Sequence, residues 1–365
     1  MLRVRLRDWD TNRFLLMMAR ELHISNKRIT YCGTKDKRAV TTQYFCINHD
    51  FNPSEIRLGG AEILDSFRTN RMLSLGDLMG NRFTIDLHLD KSATEQVRET
   101  MSQITEAGGF PDYFGLQRFG SIRTNTHIVG KLILQGRDED AAMEYICDPS
   151  IDHDQYRLEF YRNQDPKAAL RDFPDHLSFE RSLLGYMVEH GTLKGSLSVF
   201  PKNLRMIFVH AYQSYLYNVI LSRRIEEIGL NRVTEGDVLL EVDGYYNQSS
   251  QKTIVANSMN ISMLSEMVSK NRLRPSVPLI GFDTRPTGGR QGEIEREVME
   301  NEGITTEMFR LRNYPDLSSS GERRITSVLP SEFGILENMA LSFILGRGTY
   351  ATSLIREFLK EKMNY

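Results

Sequence analysis

The spacing of hydrophobic residues changes twice along the chain, and this constrains the fold more than any other feature. Before residue 138, segments with strand-like alternation are mixed with segments of helical periodicity. From Asp138 to Phe309, apolar residues recur at helical spacing between polar linkers, as in Asn203 to Ile225. The remainder returns to strand and helix. We therefore predict an α+β fold in which a largely helical domain, 138–309, is inserted into a domain built from 1–137 and 310–365.

The first part of the chain is predicted to begin with a strand and a helix. Asp10 or Thr11 can cap that helix, in which apolar residues recur three and four positions apart. A second helix is expected to stop at Gly108-Gly109. Four further strands complete the prediction for this part: Arg28 to Cys32, Ala39 to Ile47, and two within Arg71 to Leu89 that are joined by a turn at Gly76.

Two glycine-containing segments punctuate the later part of the chain. Gly346-Arg347-Gly348 is predicted to turn between a strand over Met339 to Leu345 and an amphipathic helix over Ala351 to Lys362. Thr287 to Gly292 is polar and is not placed between a strand and a helix, so we interpret it as a connector and not as a phosphate-binding loop.

The local distribution of charge is more informative about a binding partner than the net charge of the chain is. The 365 residues carry a formal net charge of -2, which gives no general sign of a nucleic-acid or membrane partner. Residues 1–40, however, contain ten Lys and Arg residues against four Asp and Glu residues. This basic segment favours a substrate rich in phosphate.

The cysteine spacing and the length of the apolar runs exclude several kinds of site and segment. Cys32, Cys46 and Cys147 have neither the number nor the spacing of a disulfide framework or a zinc site, so we expect a reducing, cytoplasmic setting and no bound metal. The apolar run from Phe14 to Ala19 is too short for a signal peptide or a membrane span. No cofactor-binding motif is evident, and no cofactor is expected.

The loop between the strands predicted on either side of Gly33 to Arg38 is the main candidate for chemistry. It places a single carboxylate, Asp36, between Lys35 and Lys37. Neighbouring cations favour the ionised form of a carboxylate, and a loop positioned by two strands is a common place for reactive groups. Asp36 is thus a candidate nucleophile. The alternative is a solvated turn, which is the more frequent role of such a charge run.

Two further residues could act together with Asp36. Phe114 lies between Tyr113 and Gly115 and could stack against a base, although a phenylalanine is more often part of a core. Arg356 is expected near the start of the last helix and could pair with Asp36, or lie on the helix surface.

The chain resembles the TruD family of tRNA pseudouridine synthases, with the archaeal members most similar. The likeness rests on five motifs that fall in the family's order and together span more than 300 residues. They are Gly33-Thr-Lys-Asp-Lys-Arg-Ala-Val-Thr-Thr-Gln43, Leu75-Gly76 with Gly80-Asn-Arg-Phe-Thr84, Tyr113-Phe-Gly-Leu-Gln-Arg-Phe-Gly120, His210-Ala-Tyr-Gln-Ser214 with Asn218, and Gly348-Thr-Tyr-Ala-Thr-Ser-Leu-Ile-Arg-Glu357.

The resemblance implies a reaction and a site. The reaction is isomerisation of a uridine in tRNA, in family terms uridine 13 of the D arm, to pseudouridine without a cofactor. Asp36 would be the nucleophile and Arg356 the arginine that pairs with it. The residues implied in substrate binding are Phe114 against the target base, Asp112 where the family carries Asn, and Lys35, Lys37 and Gln43 in the loop motif.

The implied fold is a pseudouridine synthase core with a mixed, mainly antiparallel sheet and a large inserted TRUD domain. The partner expected is tRNA, and neither a membrane nor a protein partner is inferred. Family members have one more strand region before the point where this sequence begins, so we expect the chain to lack that strand and its basic residue. An unpaired sheet edge would then result.

Two other functions remain open. A tRNA-binding protein or RNA chaperone could keep the same fold with impaired catalysis, although the presence of Asp36 favours an enzyme. A carboxylate-dependent hydrolase is disfavoured because no second carboxylate motif and no metal cluster is evident.

Overall fold

The computed structural model describes residues 1–87, 91–120, 122–244, 248–337 and 339–360, apart from the side chains of Glu55, Lys91 and residues 249–251. The chain divides into two compact units, Met1–Asn81 and Arg82–Tyr365. No helix in the described ranges combines the length and the apolar character that a membrane crossing requires.

The first unit is a four-stranded sheet with a helix packed on it. Its elements are β1 (Leu2–Arg7), α1 (Thr11–Glu21), β2 (Ile29–Tyr31), β3 (Val40–Ile47) and β4 (Ala61–Ser66). The strand order is β2-β3-β1-β4, and each neighbouring pair is antiparallel. β1 alternates buried aliphatic with exposed arginine side chains, as a strand with one solvated face must. Its aliphatic side chains share a core with Phe14 of α1 and Phe45 of β3.

Strands and helices alternate irregularly through the rest of the chain. The next elements are β5 (Gly80–Ile85), α2 (Lys91–Glu106), β6 (Phe110–Pro111), α3 (Thr126–Leu134), α4 (Asp138–Ile146), α5 (Gln155–Asn163), α6 (Pro166–Asp172), α7 (Ser178–His190) and α8 (Lys202–Glu227). They are followed by β7 (Val238–Val242), β8 (Gln248–Val255), α9 (Ile261–Ser269), β9 (Leu273–Leu279), α10 (Gly289–Glu302), β10 (Glu322–Ile325), β11 (Ser327–Val328), β12 (Ser331–Ile335), β13 (Leu341–Gly346) and α11 (Ala351–Leu359).

Helix α8 is the central element of the second unit. It packs against α3, α10 and β9, and its buried residues belong to the largest hydrophobic core. One sheet has the antiparallel order β10-β9-β7-β8. A second has the order β12-β13-β5, and α2 and α11 contribute to its core. The combination of helices and antiparallel sheets confirms the predicted α+β class.

Most predicted elements are present with small shifts at their ends. Asp10 caps α1 by accepting a hydrogen bond from the backbone N–H of Arg13. The strands around the Asp36 loop, the helix before Gly108, the long helix α8 and the final strand and helix are all confirmed. Leu89 and the end of the last predicted helix at Lys362 lie outside the described residues.

Two local predictions were wrong, and a third was incomplete. No strand forms over 71–74, whereas an unpredicted strand, β4, follows a turn at Gly60 with φ +77° and pairs with β1. Thr287 to Gly292 is not a connector, because α10 begins at Gly289. The region 138–309 is largely helical, but it also contains three strands that were not predicted, β7, β8 and β9. β9 carries prolines and an arginine, which made it look unlike a strand, yet almost all of it is buried.

The predicted domain boundaries at 138 and 309 stay a prediction. The compact units are divided at a different point, within β5.

Candidate active site

The Asp36 loop is fixed through backbone hydrogen bonds near both of its ends. At its start, the carbonyl of Cys32 accepts a bond of 2.9 Å from the N–H of Gly76. The backbone N–H of Lys35 donates to the Thr11 hydroxyl of α1 over 3.0 Å, and Thr11 is buried. At its end, the carbonyl of Ala39 accepts from the N–H of Asp8 over 3.1 Å. The loop is therefore held in place while its tip stays exposed.

The charged side chains of this loop differ in their surroundings. Asp36 and Lys37 are exposed, and the Asp36 carboxylate makes no hydrogen bond or ion pair with the described side chains of the first unit. Lys35 is half-buried, and this desolvation lowers the pKa of its ammonium group, while Cys32 and Asp36 oppose the change. A partly desolvated lysine thus lies next to the proposed nucleophile, so its positive charge is less screened than that of a surface lysine.

Gln43 lies on the buried face of β3. It is 8% exposed and sits opposite Val4 of β1, two positions before Phe45. Its side-chain Nε2 is buried and has no hydrogen-bond partner among the described residues. An unpaired buried donor is costly, so this amide would be stabilised by a hydrogen-bond acceptor.

In the second unit, α8 and α11 hold the backbone around Phe114. The side chain of Asn218 on α8 accepts from the N–H of Phe114 at 3.0 Å and donates to its carbonyl at 2.9 Å. Ser353 on α11 donates to the carbonyl of Tyr113 at 3.0 Å, and the Tyr113 hydroxyl is 2.9 Å from that of Ser222. The segment is consequently rigid, as a binding element should be.

The ring of Phe114 is enclosed on several sides. The guanidinium carbons of Arg324 and Arg118 lie 4.5 Å and 5.6 Å from the ring centre, and the Tyr217 ring meets it edge-on at 5.4 Å. Only 7% of Phe114 is exposed. Phe114 therefore belongs to the core, and it also lies beside two arginines. Neither the interpretation as a core residue nor the interpretation as a base contact is excluded. Its predicted contact with a base stays a prediction.

Asp112 forms a buried ion pair with Arg324. The two side chains approach to 2.7 Å and are 4% and 18% exposed. Burial raises the pKa of the Asp112 carboxyl, and the charge of Arg324 opposes that rise. One carboxylate oxygen, Oδ1, has no hydrogen-bond partner among the described residues. Asp112 is therefore a neutralised anion with one free acceptor.

Arg356 lies in α11 with a mostly buried side chain. Its guanidinium is 3.2 Å from the Glu357 carboxylate, and its central carbon is 4.9 Å from the centre of the Tyr113 ring. It thereby contacts the Phe114 segment. Its predicted pairing with Asp36 stays a prediction, because the two residues belong to different units.

Sequence reasoning missed Arg324, which has no motif around it and reaches Asp112 from 212 positions away. Arg118 and Asn218 lie within the family motifs, but no role was predicted for either of them. Asn218 could have been found from the sequence, because it is a polar residue at helical spacing on the apolar face of α8.

The described residues contain no group of three or more His, Cys, Asp or Glu side chains arranged to hold a metal ion. All three cysteines are free thiols, and Cys46 and Cys147 are buried.

Known proteins resemble this chain in sequence and in fold. The family model described as tRNA pseudouridine synthase D (TruD) matches residues 1–358. A probable tRNA pseudouridine synthase D from Picrophilus torridus is 46% identical over 363 residues, which cover 98% of this chain and 87% of the relative. One from Thermoplasma acidophilum is 46% identical over 351 residues, covering 96% and 85%. A crystal structure of the putative tRNA pseudouridine synthase D from Methanosarcina mazei has a TM-score of 0.82 and 36% identity, covering 99% of this chain and 87% of that one.

Proposed function

The chain belongs to the tRNA pseudouridine synthase D family, and from this premise we propose that it isomerises a uridine of tRNA to pseudouridine with Asp36 as the nucleophile. The target we propose is uridine 13 of the D arm. The observation that carries the assignment of Asp36 is its loop, which presents one exposed carboxylate beside a partly desolvated lysine.

The proposed reaction exchanges one glycosidic bond for another. Asp36 acts as an ionised carboxylate that adds to the uracil ring or to C1′ of the ribose, or assists through a glycal intermediate. The N1–C1′ bond breaks, the uracil turns, and a C5–C1′ bond forms. The proton lost from C5 goes to solvent, N1 gains a proton, and Asp36 is regenerated, so that no oxidant or cofactor is consumed.

The target uridine must leave its base stack to reach Asp36. Unstacking costs a few kcal/mol, which phosphate contacts and stacking can offset. Lys35, Lys37 and the other cations of residues 1–40 are suited to phosphate contacts. In the second unit, Phe114 and the free Oδ1 of Asp112 are suited to the base, since an acceptor matches the imino N–H of uracil.

The experiment that tests the proposal measures tritium released from tRNA transcripts labelled at uracil C5. We expect wild-type protein to release one equivalent per tRNA and Asp36→Asn to release almost none. Asp50→Asn, which changes an exposed aspartate of the same unit, should behave as wild type.

A transcript with cytidine at position 13 tests the choice of uridine. It should release no tritium if the proposal is right, whereas full release would place the target elsewhere. Tight tRNA binding without release from any transcript would instead support a binding protein with impaired catalysis.

A further inference from the structure

A cavity of about 290 Å³ lies next to the Phe114 segment, entirely within the second unit. Its wall is formed by α8, by the short helical turn Leu116–Arg118 and by the residues just before β10. Its polar lining consists of Arg118, His210, Gln213, Ser214, Ser319–Ser320 and Glu322. None of these residues has a place in the reaction proposed above.

Arg118 is a cation without an anionic partner. Its Nε donates to the Ser214 hydroxyl at 3.1 Å, and it forms no ion pair with a carboxylate in the part of the chain that the structure describes. Desolvation lowers the pKa of its guanidinium group; nearby Tyr350 opposes this shift, and the charge of Arg324 adds to it. Burying an unpaired charge is unfavourable, so this site would be stabilised by an incoming anion.

The other groups of the cavity add donors. His210 is half-buried, burial and the charge of Arg118 both lower the pKa of its imidazole, and its ring makes no hydrogen bond within the described ranges. Gln213 donates to the Ser319 hydroxyl at 2.9 Å, which leaves the Ser319 O–H directed to another acceptor. Glu322 lines the cavity as well, but its side chain is exposed and lies at the start of β10.

The cavity is also close to the proposed base contact. The guanidinium carbon of Arg118 is 5.6 Å from the Phe114 ring centre. An anion bound by Arg118 would therefore lie beside a base held at Phe114. In an RNA strand, the sugar-phosphate backbone likewise lies beside the base.

We propose that this cavity binds a backbone phosphate of the tRNA, with Arg118 and His210 as its principal donors. The inference rests on the proposed function for the identity of the RNA, and its chemistry rests on the unpaired guanidinium. A planar fork of N–H groups is the side chain best matched to a phosphate.

The test is the salt dependence of binding to an unmodified tRNA transcript. Each phosphate contact contributes roughly 0.7 to 0.9 to the slope of log K against log salt. Arg118→Gln should weaken binding and reduce the slope by about that amount. Arg118→Lys should keep the slope, because it keeps the charge. Arg181→Gln, which changes a partly buried arginine of α7, should leave it unchanged.

Melting curves accompany every variant. If Arg118→Gln melts well below wild type, Arg118→Met is used in its place, because methionine keeps a long side chain beside Phe114 without the charge. An unchanged slope in a folded variant that lacks the charge would overturn the proposal.

A second arm distinguishes the RNA phosphate from free phosphate. If inorganic phosphate raises the melting temperature of wild type but not of Arg118→Gln, while the tRNA slopes are equal, the cavity serves a free anion and the proposal is wrong. Binding is measured independently of turnover. Absence of tritium release therefore bears on the proposed function and not on this site.

Discussion

The ion pair between Asp112 and Arg324 sets the charge beside Phe114. The resemblance alone indicated an anion at a position where the family carries an amide. The structure instead pairs this carboxylate with an arginine at 2.7 Å. No sequence pattern could predict that, because the partners are joined by tertiary packing and not by spacing. The position of Asp112 beside the Phe114 segment, in contrast, was evident from the motif.

Replacing Asp112 by Asn tests the importance of this pair. Asp112→Asn keeps the size and one hydrogen bond but leaves Arg324 without its counter-charge. We expect the free energy of unfolding to fall by about 1 to 3 kcal/mol, measured by chemical denaturation. Asp50→Asn, at an exposed position, should change it by no more than about 0.5 kcal/mol. Equal values for both variants would show that the buried pair contributes nothing.

His127 should make stability depend on pH. It is 6% exposed and stacks on Tyr215 at 4.7 Å, and burial lowers the pKa of its imidazole to about 4. Since the ordinary pKa of 6.5 applies to the unfolded chain, that chain binds the proton first as pH falls. The stabilising contribution is therefore complete above pH 6.5 and is lost as pH falls toward 4.

His127→Phe removes this titration while retaining a ring. It should reduce the loss of unfolding free energy between neutral and acidic pH by up to roughly 3 kcal/mol. His153→Gln, at an exposed position, should retain the wild-type profile. A profile of His127→Phe that parallels wild type would refute the assignment.

At the scale of elements, helix α1 both covers the first sheet and anchors the Asp36 loop. Its buried face carries the aliphatic contacts, and its first residue, Thr11, accepts the backbone N–H of Lys35. The helix and its cap could be predicted from periodicity and from Asp10. The anchoring could not, because Thr11 and Lys35 meet only after the sheet has formed. β9 shows the same limit, since its burial overrides a composition that disfavours strands.

The anchoring predicts a specific effect of Thr11. Thr11→Val keeps the shape and removes the acceptor, so the backbone N–H of Lys35 loses its partner and the loop becomes less fixed. We expect kcat for tritium release to fall about tenfold, with a loss of about 1 kcal/mol in stability. Thr11→Ser, which keeps the hydroxyl, should stay near wild type. If the valine variant retains full activity, the loop does not depend on this bond.

At the scale of the whole molecule, RNA binding must depend on where charge lies, since the formal net charge is -2. Arg3, Arg5 and Arg7 lie along the exposed face of β1, and Arg5 is paired with Glu62. The α+β layout and the order of the motifs were accessible from sequence over the full length. The sheet orders and the division at Asn81 were not, because they depend on pairings between distant segments.

The exposed face of β1 gives a prediction at this scale. The double variant Arg3→Gln/Arg7→Gln should weaken tRNA binding and reduce the salt slope by roughly 1.4 to 1.8, if both arginines contact phosphates. Its kcat at saturating tRNA should not change. Arg57→Gln/Arg68→Gln, two exposed arginines of the same unit outside residues 1–40, is the matched control. Identical slopes for the two double variants would exclude this face from the interface.

The most direct test of the central claim is single-turnover tritium release by Asp36→Asn with excess protein over C5-labelled tRNA. Excess protein removes differences in binding, so the rate reports the chemical step alone. We predict a rate at least roughly 1,000-fold below that of wild type and of Asp50→Asn, with tRNA affinity retained. A rate for Asp36→Asn within a few fold of wild type would contradict the assignment of Asp36 as the nucleophile.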